Sequence, residues 1–480
     1  MQHDLTRGPI TRTMLLFAGP MIAGNLLQQF YNIADTLIVG QFLGAQALAA
    51  VGSAFTLMTF LTSILLGLCM GSGAVFSIRY GERNEEKLKS SIFVSFVMIA
   101  LVMLVMNLLV FLLIDPIIRF MNIPSDVYGM MRDYLWVIFA GIGFVFLYNY
   151  FAALLRAVGN SLAPLLFLAV SAVTNIVLDL LFVVTFQRGV AGAAEATVIA
   201  QALSAVGIAA YTFIKFPAFR PDRRYMKMNR QILREIFQYA FLTCIQQSVM
   251  NFGILLVQGL VNSFGTAVMA AFAAAVKIDA FAYMPVQDFG NAFSTFAAQN
   301  FGAKKEERIR RGIRSAIGVT VVFCLIVSAL VFVFARQLML IFVQPQETEI
   351  LAVGAQYLRI EGAFYCGIGC LFLLYGFYRA VRRPGISVAL TVLSLGTRVA
   401  LSYLLASIPA IGVVGIWWSI PIGWLLADLA GLLCYKKFKK QLLEQLEEIK
   451  KEARKRVSFF MPFGRKLPLI RLSCSASAGR

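Results

Sequence analysis

Histidine occurs once in this 480-residue chain, at His3, and charged residues make up only 14% of it. An intramembrane transferase would need clustered Asp or His at the inner surface, and the chain offers neither an Asp-rich motif nor a second histidine. The seven cysteines, Cys69, Cys244, Cys324, Cys366, Cys370, Cys434 and Cys474, lie mostly within apolar runs without zinc-type spacing. They read as packing residues, not as bridges or metal ligands. Nothing resembles the repeated selectivity filter of a channel. With 59% of residues hydrophobic, the scarcity of charge excludes a water-soluble domain, because no single core of this size could bury so much apolar surface.

What is there is a series of long, continuously apolar runs near residues 13–39, 47–72, 90–114, 134–155, 162–186 and 190–214, then 233–258, 267–300, 312–335, 355–378, 385–408 and 411–435. A hydrocarbon core takes about 20 apolar residues per helix, so each run suffices for one span. Strands of a membrane barrel would alternate in polarity, and these do not. The sequence therefore predicts an all-α polytopic membrane protein with twelve transmembrane helices. No cleavable signal peptide is evident, since the first run lacks an A-x-A-like site and leads into polar sequence.

The formal charge of +19 invites a nucleic-acid reading, but the positions of the basic residues argue against it. With the N-terminus inside, 36 of the 43 basic residues fall in inner connections and the tail. The outer side receives only Arg119, Arg132, Arg188, Arg336 and Arg359, while Lys277 and Arg398 lie within spans. This bias predicts an inner-membrane protein with both termini cytoplasmic. The expected organisation is a cytoplasmic N-terminus (1–12), a first lobe (13–214), a basic linker (215–232), a second lobe (233–435) and a basic cytoplasmic tail (436–480). Residues 436–457 read as an amphipathic helix on the inner leaflet or a solvated helix, with disorder expected beyond Phe459.

The two lobes repeat each other. A shift of 221 places Gly44 on Gly265, Gly81 on Gly302, and the pair Glu85-Glu86 on Glu306-Glu307. A shift of 223 places Arg156-Ala157-Val158 on Arg379-Ala380-Val381, and Gly189 and Gly192 on Gly412 and Gly415. Six helices separate equivalent points, so the lobes share one orientation and are related by a pseudo-two-fold axis along the membrane normal. Transporters place their sites at such repeat interfaces.

The informative positions are those where only one lobe is polar. Asp35 overlies Leu256, Asn149 overlies Phe372, Asn175 overlies Arg398, Asp179 overlies Ser402 and Thr197 overlies Ile420. An ionised Asp inside the bilayer costs several kcal/mol unless it faces a cavity, a partner or an ion. Asn175 and Asp179 are one turn apart on one helix face, and Asp35, Asp179 and Thr197 fall in the outer half of helices 1, 5 and 6. Two nearby carboxylates disfavour joint ionisation, so the pair is expected to hold a proton or share a cation such as sodium. The alternative is that each Asp satisfies a neighbouring hydroxyl or amide across helices. Pro20 on helix 1 marks either a hinge or a fixed kink. Gln246, Gln247, Met250, Asn251, Tyr283, Met284, Gln287, Asp288 and Asn291 give helices 7 and 8 the amide, aromatic and thioether character of an adaptable pocket, although such residues individually serve packing more often than ligand contact.

The segment Gln28-Gln29-Phe30-Tyr31-Asn32-Ile33-Ala34-Asp35-Thr36-Leu37-Ile38-Val39-Gly40, together with Ala298-Gln299-Asn300-Phe301-Gly302-Ala303 and Tyr357-Leu358-Arg359-Ile360, resembles the multidrug and toxic compound extrusion (MATE) family over residues 10–440. The resemblance implies a V-shaped pair of bundles that exports cationic, lipophilic drugs in exchange for protons or sodium. No cofactor and no nucleic-acid partner are expected. The resemblance further implies a cation site at Asp35, Asn175, Asp179 and Thr197, a bending proline at Pro20, and a substrate cavity near Gln28 and Asn149. By residue character, Tyr31, Gln246, Met250, Tyr283 and Met284 are further cavity candidates. A carboxylate on helix 7, used in another branch, is missing here: Gln246, Gln247 and Gln258 stand on that helix. A monomer is expected. The rival expectation is a flippase of lipid-linked precursors with a related fold.

Overall fold

The computed structural model describes residues 4–459 except 121, 122, 124 and 221. Within them the apolar runs form twelve membrane-length helical elements, as hydropathy predicts. The first half consists of α1 (Ile10–Gly44), α2 (Gln46–Gly81), α3 (Glu85–Arg119), α4 (the pair Val127–Ala140 and Ile142–Ala157, bent by 46°), α5 (Leu162–Thr185) and α6 (Gly189–Lys215). The second consists of α7 (Arg230–Asn262), α8 (Thr266–Gly302), α9 (Glu306–Met339), α10 (Thr348–Gly362 and Tyr365–Ala380, bent by 51°), α11 (Pro384–Ala406) and α12 (Val413–Lys437). Several helices outrun their apolar stretch because their ends are charged to suit the helix dipole. α9, for example, opens with Glu306 and Glu307 and carries Arg336 in its last turn. The chain from Ala430 on is a unit of its own, helical through Phe459. The expected disorder beyond that residue lies outside the described part of the chain.

The internal repeat is visible in the backbone. Left-handed turn residues recur at the same two offsets: Gly44 and Gly265, Arg83 and Lys304, Gly159 and Arg382, Gly189 and Gly412. The bends of α4 and α10 recur as well, at residues 141 and 363–364. Large apolar side chains such as Leu112 and Val333, 67% and 61% exposed, cover the outside of the helices. That surface is suited to lipid and not to water.

The halves meet most tightly at the ends of α2 and α8 that border the basic connections. A side chain on Gly81 would collide with the carbonyl of Gln299, and one on Gly302 with the carbonyl of Ile78. Each contact is the image of the other at the 221-residue offset, so this crossing is where the pseudo-two-fold axis passes. Only glycine lets the two backbones approach so closely. Farther along α2, Gly67 and Gly71 abut the backbone of α7 at Cys244 and at Tyr239–Ala240.

Polar contacts seal the same face. Arg79 pairs with Glu82 at 2.9 Å and with Glu235 of the second half, and Arg382 pairs with Glu82 at 2.8 Å. The segment before α1 is gripped by the other half: Asn300 Nδ2 donates to Leu5 O at 3.1 Å, Lys305 Nζ to Thr6 O at 2.8 Å, and Arg308 to Arg7 O and Gly8 O at 2.6 and 2.7 Å. Burial works against the charge of Asp4, but hydrogen bonds from the Thr6 hydroxyl and amide, with Arg7 and Lys305 nearby, outweigh it and hold the carboxyl below its ordinary value. Deeper in the bilayer, Asn25 Nδ2 on α1 donates to Asp288 Oδ1 on α8 at 2.6 Å, and Phe30 and Phe281 pack at 6.0 Å.

Candidate functional site

Three helices of the first half bring the sequence-predicted polar set together. Asp35 lies nine residues before the end of α1, Asp179 six before the end of α5, and Thr197 eight after the start of α6. At 1.5 Å per residue these sit about 9 to 14 Å inside the helix ends. Asn175 Nδ2 donates to Thr197 Oγ1 at 3.3 Å, and the Thr197 hydroxyl donates to Ala193 O at 3.1 Å. The carboxyl groups of Asp35 and Asp179 face each other.

The decisive feature is what these oxygens lack. Asp35 Oδ1, Asn175 Oδ1 and both carboxyl oxygens of Asp179 are sealed from solvent without a hydrogen-bond donor. Asp179 is fully buried and Asn175 is 3% exposed. Buried acceptors are nearly always satisfied, so four unsatisfied oxygens in one place call for a positively charged guest. A proton shared between the carboxyls would satisfy two of them, and a sodium ion could use the amide oxygen as well. Among the described residues there is no group of three or more His, Cys, Asp or Glu that could hold a metal ion.

The local chain geometry supports the site. Immediately after Asp179, α5 widens into a π-helical turn over Leu180–Thr185. Such turns often sit at functional positions because they displace the helix ladder. The equivalent α11 is a regular helix over Pro384–Ala406. There Ser402, the counterpart of Asp179, shares a 2.7 Å hydroxyl contact with Ser419.

Pro20 lies within α1, whose backbone keeps helical angles up to Gly44. Tyr31 is close to Gln28, Asp35 and Tyr148. The amide of Asn149 donates to Val145 O of its own helix at 2.9 Å. Gln246 is buried and donates to Thr391 Oγ1 at 3.1 Å, which ties α7 to α11. Tyr283 packs against Phe372 at 6.4 Å, and Met250 and Met284 are half-buried.

Sequence reasoning missed Tyr134 on α4. It is 3% exposed and within electrostatic reach of Asp35, Asp179 and Tyr31. The signal was present, since Tyr134-Leu135 overlies Tyr357-Leu358 at the 223-residue offset. It also missed the pairing of Asn25 with Asp288, because nothing local in a sequence says which residues of the two halves meet.

Two six-helix halves joined at one face, with the Asp35–Asn175–Asp179 oxygen cluster sealed in the first of them, define a membrane transporter built on a duplicated bundle. The MatE family description matches residues 20–181 and 240–404, and the chain belongs to that family. It is 29% identical to the "Probable multidrug resistance protein YpnP" of Bacillus subtilis over 437 residues, covering 90% of this chain and 96% of that protein. It is 25% identical to the "FAD transporter" of Shewanella oneidensis over 450 residues, covering 90% and 95% of the two chains. A solved structure described as the outward-facing conformation of a multidrug resistance MATE family transporter shares the fold, with a TM-score of 0.86 at 23% identity, covering 92% of this chain and 98% of the other. The protein is a transporter and not an enzyme.

Proposed function

We propose that this protein exports organic cations and amphiphilic drugs by antiport with H+ or Na+, as a monomer in the inner membrane with both termini cytoplasmic. The observation that carries the reading is the cluster of four unsatisfied oxygens on Asp35, Asn175 and Asp179. The names of relatives such as YpnP support drug export, and the charge bias supports the orientation. In that orientation the sealed face is the cytoplasmic one.

A cation arriving from outside binds Asp35 and Asp179, which removes the repulsion between them and draws α1 towards α5. Helix 1 then bends at Pro20, where the proline leaves the Leu16 carbonyl without its helical donor. The lobe loses affinity for its cargo on the outer side. For the cycle to run, the cation must bind the two states of α1 with different affinity. Return requires the cytoplasmic seal to open, breaking the Asn25–Asp288 bond and the Arg79–Glu82–Arg382 network.

The experiment is efflux from proteoliposomes with proton and sodium gradients imposed separately, using ethidium, a lipid-linked sugar precursor and FAD as cargo. Ethidium export driven by one of the two gradients is the expected result. Gradient-independent movement of the lipid precursor alone would reject antiport. A milder change tests the seal. Glu82→Gln removes the negative charge shared by Arg79 and Arg382, and partly exposed ion pairs contribute up to about 1 kcal/mol each. Opening of the cytoplasmic face, read by labelling of an introduced cysteine, is expected to rise between about threefold and tenfold.

A further inference from the structure

The second half holds a buried acid cluster that the transport reading does not use. Asp279 on α8 and Glu361 on α10 are 5% and 3% exposed. Tyr365 donates to Asp279 Oδ1 at 2.6 Å, the Tyr357 hydroxyl faces Glu361, and Arg398 on α11 lies within electrostatic reach of both acids. Tyr283 on α8 borders the same group, and Cys324 on α9 approaches Tyr365. Lys277 is turned elsewhere, 6.0 Å from the ring of Phe342.

The internal repeat gives this cluster its meaning. Tyr357 is the counterpart of Tyr134, the tyrosine beside Asp35 and Asp179, and Arg398 is the counterpart of Asn175. Each half thus surrounds the same tyrosine with two buried carboxyl groups, although the acids come from α1 and α5 in one and from α8 and α10 in the other. At the equivalent position on the fifth helix, one half supplies a neutral amide and the other a guanidinium. Two buried acids without compensation are costly, and a charge can be supplied either by a mobile ion or by the chain itself.

We infer that the second half carries a precharged counterpart of the first half's acid pair, in which Arg398 stands in permanently for the mobile cation. The consequence is division of labour: one half responds to the ion, and the other keeps a fixed charge state throughout the cycle. Glu361 Oε2 and Arg398 Nε are both sealed and without a hydrogen-bond partner, and the guanidinium lies within electrostatic reach of both acids. Its removal would leave a second acid pair in need of an ion.

Trp417 provides the readout. It is fully buried and meets the ring of Tyr357 edge-on at 4.9 Å, and the chain has only three other tryptophans, Trp136, Trp418 and Trp424, which can be changed to Phe. In that single-tryptophan protein, Trp417 emission is expected to stay flat from pH about 5 to about 9 and on addition of Na+. R398Q is expected to introduce a pH step or a Na+-dependent change that E361Q removes, and R398K to restore the flat profile. A step already present with Arg398 in place and removed by E361Q overturns the inference, as does an R398Q protein that stays flat. Should R398Q not be recovered from membranes, recovery of E361Q/R398Q supports it, whereas loss of both with E361Q intact overturns it. The inference draws on the first half's cation reading only as the comparison. Failure of that reading would leave the Trp417 result unchanged, because the signal arises within the second half.

Discussion

Asp179→Asn is expected to abolish ion-coupled export while leaving the protein folded. The substitution keeps the shape of the side chain and replaces one bare oxygen with an amide N–H that can donate to Asp35 Oδ1. The two groups then satisfy each other without a guest, and α1 is held as though the cation were always present. In the wild type, adding the coupling cation is expected to weaken ethidium binding by roughly 5- to 150-fold, the usual range for one coupling free energy between two sites. In Asp179→Asn the ratio should fall to about one, and vesicle efflux to the passive rate. Equilibrium ethidium binding with and without cation measures the first, and dye efflux the second. Normal cation-dependent weakening in the variant would remove Asp179 from the mechanism.

Gly302→Ala is expected to shift the conformational balance at the opposite end of the bundle. The methyl group would fall on the Ile78 carbonyl, a backbone atom that cannot swing aside, so α8 must move away from α2. Overpacking of this kind costs about 1 to 3 kcal/mol, which shifts the closed population of the cytoplasmic face by roughly 5- to 150-fold. Each half keeps its own core, so the cost falls on closure and not on folding. Spin labels at the exposed positions Glu86 and Glu307, which are images of each other in the two halves, should report a longer distance in the variant than in the wild type. The same mean distance would show that the glycine crossing does not set closure. Gly81→Ala should act alike, because its methyl would meet the Gln299 carbonyl across the same axis.

The twelve helices, the duplication and the inequality of the halves were legible in the sequence because each leaves a local mark. Hydropathy marks a span, a repeated glycine marks a turn, and an Asp among apolar residues marks an unpaid desolvation. The convergence of Asn175 on Thr197 followed from counting residues along helices of known rise. The partners across elements did not. Gln246, with the residue type of a cavity-lining amide, bonds Thr391 because α7 is rotated towards α11, and hydropathy does not fix such rotation. The bends of α4 and α10 lack a proline, and the repeated offset became informative there only once both bends were seen. Asp279 and Glu361 lie 82 residues apart and meet only through the packing of α8 on α10.

The central claim is that one cation and one drug compete through the first half. The most direct measurement is cation release when saturating ethidium is added to the purified protein, followed with a pH indicator in weak buffer and with radioactive sodium. The account predicts about one cation released per ethidium bound by the wild type and none by Asp35→Asn/Asp179→Asn. Ethidium binding without cation release by the wild type, or undiminished release by the double variant, would contradict it.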